Sequence, residues 1–197
     1  MAMMGINTER ALIGRARRGD AIAIEGLIRA HQDALYAFIL RMSGRPDVAE
    51  DIVQEAFVRV LNNLDRFDDR FRFSTWVFTI AKRLYVNWIQ KHRPAYDTET
   101  VNARQCHQES PGGVTARREV LGNIRGLIET ALAGLNEQQR EIILLFHQQS
   151  WPITTIAEHL DMPEGTVKSH LHRARKRMKR LITANRKMHE QVQEAWS

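Results

Sequence analysis

The sequence predicts an all-α protein built as two small helical domains joined by a flexible linker. Three observations carry that prediction. Helix-forming residues dominate, with only 11 Gly and 5 Pro in 197 residues. Apolar residues recur at steps of three and four along most of the chain, the period of a helix with one buried face. The pattern lapses at 93–115, RPAYDTETVNARQCHQESPGGVT, which has little apolar content, two Pro and a Gly pair. That segment is long for a loop inside one compact domain, so it marks a boundary.

In the first half, residues 20–42 place Ile24, Leu27, Ile28, Leu35, Phe38 and Ile39 at helical spacing. The next helix spans 46–64, with Pro46 in the first turn and Asp47, Glu50 and Asp51 near the positive end of its dipole. Its apolar side carries Val48, Ile52, Val53, Ala56 and Val60. A polar stripe of Asp51, Gln54, Glu55, Arg59 and Asn62 runs opposite; by itself this reads as a solvent face. DRFDDRFRF (65–73) is a charged loop with interleaved aromatics.

Ser74 is expected to cap a helix reaching about His92, before Pro94. Val77, Ile80, Ala81, Leu84, Tyr85 and Trp88 make its broad buried side. Thr79, Lys82, Arg83, Asn87 and Gln90 lie opposite, with Trp76 at the edge. Trp76, Arg83 and Asn87 align at i, i+7 and i+11. A tryptophan among cations and amides suits stacking on an unpaired base, worth ~1–3 kcal/mol per base. The competing reading is a Trp half-covered by a neighbouring helix.

The second half predicts helices near 117–133, 136–149, 153–160 and 163–182. Ser150 and Pro152 suit the start of the third, and Asp161-Met162-Pro163 a tight turn into the fourth. A short helix, a turn and a longer basic helix form the helix–turn–helix pattern. Ile153, Ile156, Ala157 and Leu160 give the first helix its apolar face; Val167, Leu171, Ala174, Met178 and Leu181 form the seam of the second. Residues 163–187 hold nine Lys/Arg against one acid, Glu164, a net charge of +8 in a chain of +6. Residues 1–92 are +3, 93–162 are −3 and 188–197 are −2.

Opposite the seam lie Ser169, His172, Arg173 and Lys176, flanked by Lys168 and His170. The N-terminal half of such a helix meets base edges in the major groove, so Lys168, Ser169, His172 and Arg173 are base-reading candidates. Arg175, Lys176, Arg177, Lys179 and Arg180 are expected on phosphates, which adds affinity without sequence information. The alternatives are a solvated basic helix or one lying on an anionic membrane; the segment lacks the aromatic-rich face that membrane insertion needs.

Other classes are excluded. No stretch approaches the ~20 apolar residues that span a bilayer. MAMMGINTER has no apolar signal core, so export is not expected and a cytoplasmic location is. One cysteine, Cys106, precludes an internal disulfide and fits a reducing compartment. His92, Cys106 and His107 are too sparse for zinc, and neither a metal nor a cofactor is expected. No Gly-rich phosphate loop, nucleophile triad or carboxylate pair with a plausible catalytic geometry is visible, so the chain is not expected to be an enzyme.

VAEDIVQEAFVRVLNNLDRF (48–67) followed by FSTWVFTIAKRLYVNWIQKHRP (73–94) resembles conserved region 2 of the extracytoplasmic-function sigma factors of the sigma-70 family. LNEQQREIILLFHQQSWPITTIAEHLDMPEGTVKSHLHRARKRM (135–178) is similar to their region 4. Each motif alone is moderately specific; both in this order are highly specific. The resemblance implies region 2 over 10–94, a linker over 95–116, region 4 over 117–185 and a tail over 186–197. It implies a sigma factor that directs core RNA polymerase to promoter DNA, and an anti-sigma factor that controls it.

By resemblance, Asp51, Gln54 and Glu55 dock on the polymerase clamp helices. Phe73, Ser74, Trp76, Lys82, Arg83 and Asn87 capture a base flipped from the −10 element. Lys168, Ser169, His170, His172, Arg173 and Lys176 read the −35 duplex, and the helix with Ile142, Ile143, Leu145 and Phe146 supplies both flap-side surface and inner core. The linker would thread the polymerase channels, with Asp97, Glu99 and Glu109 mimicking RNA. Three positions depart from common family usage: Arg83 where Asn is frequent, Asn87 where Asp is, and His170 where Arg is.

Overall fold

The computed structural model describes the backbone of residues 6–92 and 116–195 and the side chains of residues 7–92 and 124–185. The expected linker up to residue 115, with Cys106, His107, Asp97, Glu99 and Glu109, lies outside the described residues, as does Trp196. The chain divides into two compact units, Met1–Thr98 and Glu99–Ser197. All regular structure among the described residues is helical.

The first unit contains α1 (Ile6–Ala16), α2 (Ala21–Ser43), α3 (Pro46–Asn62), a single 3₁₀ turn (Leu64–Arg66) and α4 (Phe73–His92). Asp20 caps α2 by accepting from the Ile22 and Ala23 amides, which satisfies orphan donors of the first turn. The Arg15 guanidinium, 2.7 Å away, holds the Asp20 carboxyl below the usual carboxylate range. At the far end Gly44 takes φ 68° and returns its N–H to Leu40 O at 2.8 Å. A residue without Cβ occupies this left-handed position at least cost.

The core is Leu27, Leu35, Phe38 and Ile39 of α2, Val48, Ile52, Ala56 and Val60 of α3, and Val77, Phe78, Ala81 and Tyr85 of α4. Phe38 and Phe78 meet at 5.2 Å between ring centroids, and the buried Tyr85 hydroxyl donates to Met42 O at 2.8 Å. Two expectations for α4 change. Phe78 is a core residue, while Ile80, Leu84 and Trp88 are only half-buried. Ser74 does not cap the helix: it sits inside the first turn, because the Trp76 amide already bonds back to Arg72 O. Helix α1 was not anticipated, since its apolar run of Leu12, Ile13 and Ala16 is short and broken by arginines.

The second unit contains α5 (Ala116–Ala133), α6 (Glu137–Ile143), a π-helical turn (Leu144–Gln148), α7 (Ile153–Leu160) and α8 (Glu164–Ala195). The Arg140 guanidinium donates to Leu132 O and Ala133 O, the last carbonyls of α5, and to Leu135 O in the turn that follows, at 3.0–3.1 Å. The single helix expected over 136–149 instead widens at Leu144, where the Gln149 amide reaches back five residues to Leu144 O. Ile142, Ile143, Leu144 and Leu145 are all buried and Phe146 alone is half-exposed. The three aliphatics Ile142, Ile143 and Leu145 are therefore core, and cannot double as a flap-side surface.

His159 and Glu141 lie almost wholly buried with Nε2 and Oε1 3.4 Å apart, and Trp151 stands edge-on to His159 at 5.2 Å; these contacts seat α7 on α6. The turn into α8 pivots on Asp161, left-handed at φ 51°, with the Met162 amide bonded to Ala157 O at 3.0 Å. That six-to-one bond is the Schellman closure of α7. Val167, Leu171 and Ala174 of α8 are buried; Met178 and Leu181 are half-buried.

Candidate nucleic-acid interface

In the first unit an aromatic cluster stands under the start of α4. Phe67 and Phe73 are buried and meet edge-to-face at 5.6 Å; His31 of α2 lies 5.3 Å from Phe73. Trp76 rests on both phenylalanines, 5.1 Å from Phe67 and 5.9 Å from Phe73, and stays half-exposed. Such rings gain from offset and edge contacts beyond their area, so the pair of phenylalanines fixes the indole plane. Phe73 itself is only 1% exposed. Its expected contact with DNA is corrected: its ring backs Trp76 and cannot reach a base.

Beyond Trp76, the exposed Arg83 and Asn87 follow along α4, with Lys82 half-buried beside them and Ser74 half-buried in the first turn. An aromatic that sequence reasoning did not single out stands nearby in chain: Phe71, 59% exposed, between the exposed Arg70 and Arg72. Alternation in RFRF would put both phenylalanines on one side; they part because the helix begins at Phe73, which turns its ring inward while Phe71 stays in the loop.

The loop before α4 is tied down by α1. The Arg17 guanidinium donates to Leu64 O at 3.1 Å and Phe67 O at 2.5 Å, and holds the Asp69 carboxylate at 3.2 and 3.3 Å. Arg10, one heptad earlier on the same face, donates to Asp69 O at 3.1 Å. Arg70 pairs with Asp68 and holds its carboxyl below the usual range.

On α3, Asp51, Gln54 and Glu55 are all exposed, beside a Glu55–Arg59 pair at 2.7 Å. Val58, 52% exposed, adds an apolar point to this outward surface.

In the second unit α8 presents Lys168, Ser169, His172, Arg173 and Lys176 to solvent, opposite its buried seam. Lys168 reaches Glu164 at 3.4 Å, and Arg173 Nε donates to Ser169 O at 3.2 Å. His170, expected at the flank of the reading face, is half-buried there with Nδ1 sealed from solvent; burial and then the Arg173 charge push its pKa down. One expected phosphate contact needs correction. Arg175 is not free for phosphate: its guanidinium donates to His147 Nε2 at 3.1–3.2 Å and lies 5.1 Å over the Phe146 ring. Burial and that guanidinium lower the His147 pKa, which keeps the ring an acceptor.

Two family models match the chain, Sigma-70 region 2 over residues 27–94 and Sigma-70, region 4 over residues 125–178. The ECF RNA polymerase sigma factor SigW of Bacillus subtilis (strain 168) is 32% identical over 176 residues, covering 86% of this chain and 94% of that one. The chain belongs to the ECF sigma factors of the sigma-70 family. A second relative, the ECF RNA polymerase sigma factor SigL of Mycobacterium tuberculosis, is 30% identical over 169 residues, covering 83% of this chain and 91% of its own. The fold is shared with the sigma factor RpoE of Bartonella quintana, solved with the anti-sigma factor NepR (TM-score 0.63, 24% identity, 81% of this chain and 96% of that one). It is shared as well with CnrH, solved with the cytosolic domain of CnrY (TM-score 0.65, 22% identity, 90% and 98%). Sigma factors are non-enzymatic transcription initiation factors, and this chain serves promoter-specific initiation by RNA polymerase. Among the described residues no helix is long and apolar enough to cross a membrane.

Proposed function

We propose that residues 10–94 of this sigma factor grip core polymerase and trap the melted −10 strand, that 117–185 read the −35 duplex, and that 95–116 and 186–197 serve as linker and tail. The observation that supports strand trapping is Trp76, held on two buried phenylalanines with its outer side open, in line with Arg83 and Asn87. Opening a duplex costs roughly 1.4 kcal/mol per step. A fixed indole offers ~1–3 kcal/mol to one stacked base, and the exposed cations along α4 add phosphate contacts. Phe71 joins this set as a second stacking surface, and Ser74 stands beside them in the first turn of α4; Phe73 acts from behind.

Asp51, Gln54 and Glu55 form the polymerase-facing surface of α3. Lys168, Ser169, His172 and Arg173 read base edges, with His170 at their flank, while Lys176 binds phosphate. The anti-sigma factor NepR, solved with the sigma factor RpoE of Bartonella quintana, supports control by an anti-sigma factor. The protein acts in the cytoplasm, where polymerase and promoter meet.

The test pairs wild type with Asp51→Arg/Gln54→Ala. Wild type added to core polymerase should start transcripts at discrete genomic sites. The double variant should stay folded by circular dichroism and lose core binding. Transcripts that persist when the protein is omitted refute the reading, as does unchanged core binding by the double variant.

A further inference from the structure

We infer that Arg17, the residue just past the end of α1 and ten residues upstream of the matched region 2 segment, is a positioning residue for promoter melting: it sets the loop 64–72 that carries the strand-capturing groups. This rests on the strand-trapping reading above. The loop runs from the 3₁₀ turn to α4 with no other regular structure, so its backbone needs partners from elsewhere. One guanidinium meets that need at three points, Leu64 O, Phe67 O and the Asp69 carboxylate. A planar fork of five donors reaches these four acceptor atoms at once; an ammonium has only three donors on one nitrogen.

The consequences pass directly to the capture site. Phe67, whose carbonyl Arg17 holds, is the ring against which Trp76 lies tilted by 34° at 5.1 Å. Asp69, held on its side chain by Arg17 and on its carbonyl by Arg10, stands two residues before Phe71. Releasing Arg17 therefore frees both the support of the Trp76 plane and the root of the exposed Phe71. The Arg17 side chain is 26% exposed, so it belongs to the unit's wall and not to its oily core. Its loss should loosen the loop more than it unfolds the unit.

The experiment uses full-length chain reconstituted with core polymerase. Sheared genomic DNA of the source organism is transcribed first, and the strongest start site supplies the template. A library randomised across its −10 element is then transcribed by wild type, Arg17→Ala, Arg17→Lys and Asp69→Ala holoenzymes, and transcripts are sequenced. Arg17→Ala should flatten the −10 base preferences and slow permanganate-detected strand opening about tenfold, with core affinity kept within about twofold. Arg17→Lys should rescue only part of this, and Asp69→Ala, which keeps the two carbonyl bonds, should be milder than Arg17→Ala.

Unchanged −10 preferences in Arg17→Ala overturn the inference. So does a proportional loss of core affinity and thermal stability, which would mean a role in folding alone. If wild type gives no dependent transcripts, the sigma-factor reading itself fails, an outcome distinct from either.

Discussion

The two nucleic-acid faces of this chain are built in opposite ways. The face on α8 is a single helix surface: Ser169, His172, Arg173 and Lys176 follow from one period, and their backbone needs nothing beyond the seam of Val167, Leu171 and Ala174. The face on α4 is an assembly. Trp76 owes its orientation to Phe67 and Phe73, and Phe67 owes its carbonyl partner to Arg17, in the turn that follows α1. The contrast matches the two substrates. A duplex brings its own rigid groove, so a row of side chains suffices. An extruded base brings no order, so the protein must supply the geometry.

Substitutions can break this contrast, beginning with the largest effect. Phe73→Ala should cost ~3–5 kcal/mol of stability in a urea melt, because a fully enclosed ring is lost; Phe71→Ala should stay within about 0.5 kcal/mol. Equal costs would mean that the inside–outside assignment of the two rings is reversed. Trp76→Ala should weaken holoenzyme binding to a premelted −10 fragment by ~1–3 kcal/mol and leave −35 duplex contacts unchanged.

The α8 face should respond in its own way. Arg173→Ala should cost ~1–3 kcal/mol and relax preference at one −35 position, measured on a randomised −35 library. Lys176→Ala should weaken all sequences alike and reduce the salt slope by about 0.9. Sequence-dependent loss at Lys176 would move it among the base readers.

Acidity sharpens the contrast most gently. His147 and His170, both in the second unit, have pKa values pushed below their ordinary 6.5, chiefly by burial and then by Arg175 and Arg173. The unfolded chain therefore binds more protons, so stability is fully present above about pH 6.5 and is lost as pH falls through the folded values. The urea midpoint followed at the Trp151 indole should drop between pH 7.5 and 5.5, and His147→Gln should reduce that drop.

Much of the α8 face was legible in sequence because helical period and charge are local properties. Its errors were at the margins: the π turn at Leu144 swung Phe146 and His147 toward Arg175, and nothing in the spacing of α8 reports a partner 28 residues away. The polar stripe of α3 was equally legible as exposed surface. The α4 face was readable only in part. The alignment of Trp76, Arg83 and Asn87 is a matter of spacing, but which of Phe67, Phe71 and Phe73 faces inward depends on how the loop is tied. Arg10 and Arg17 stand seven apart, but the Asp69 they hold lies more than fifty residues further on, so no local pattern reports the tie.

The left-handed Asp161 between α7 and α8 sets a limit on how this chain can evolve. As promoters drift, Ser169, His172, Arg173 and Lys176 of α8 are free to change with them, since their side chains stand outside the buried seam. The pivot that aims the whole helix has no such freedom: only Gly, Asn and Asp enter that backbone region readily, and a β-branched residue there would re-aim every reader at once. New specificities can thus arise one position at a time around a hinge that selection must leave alone.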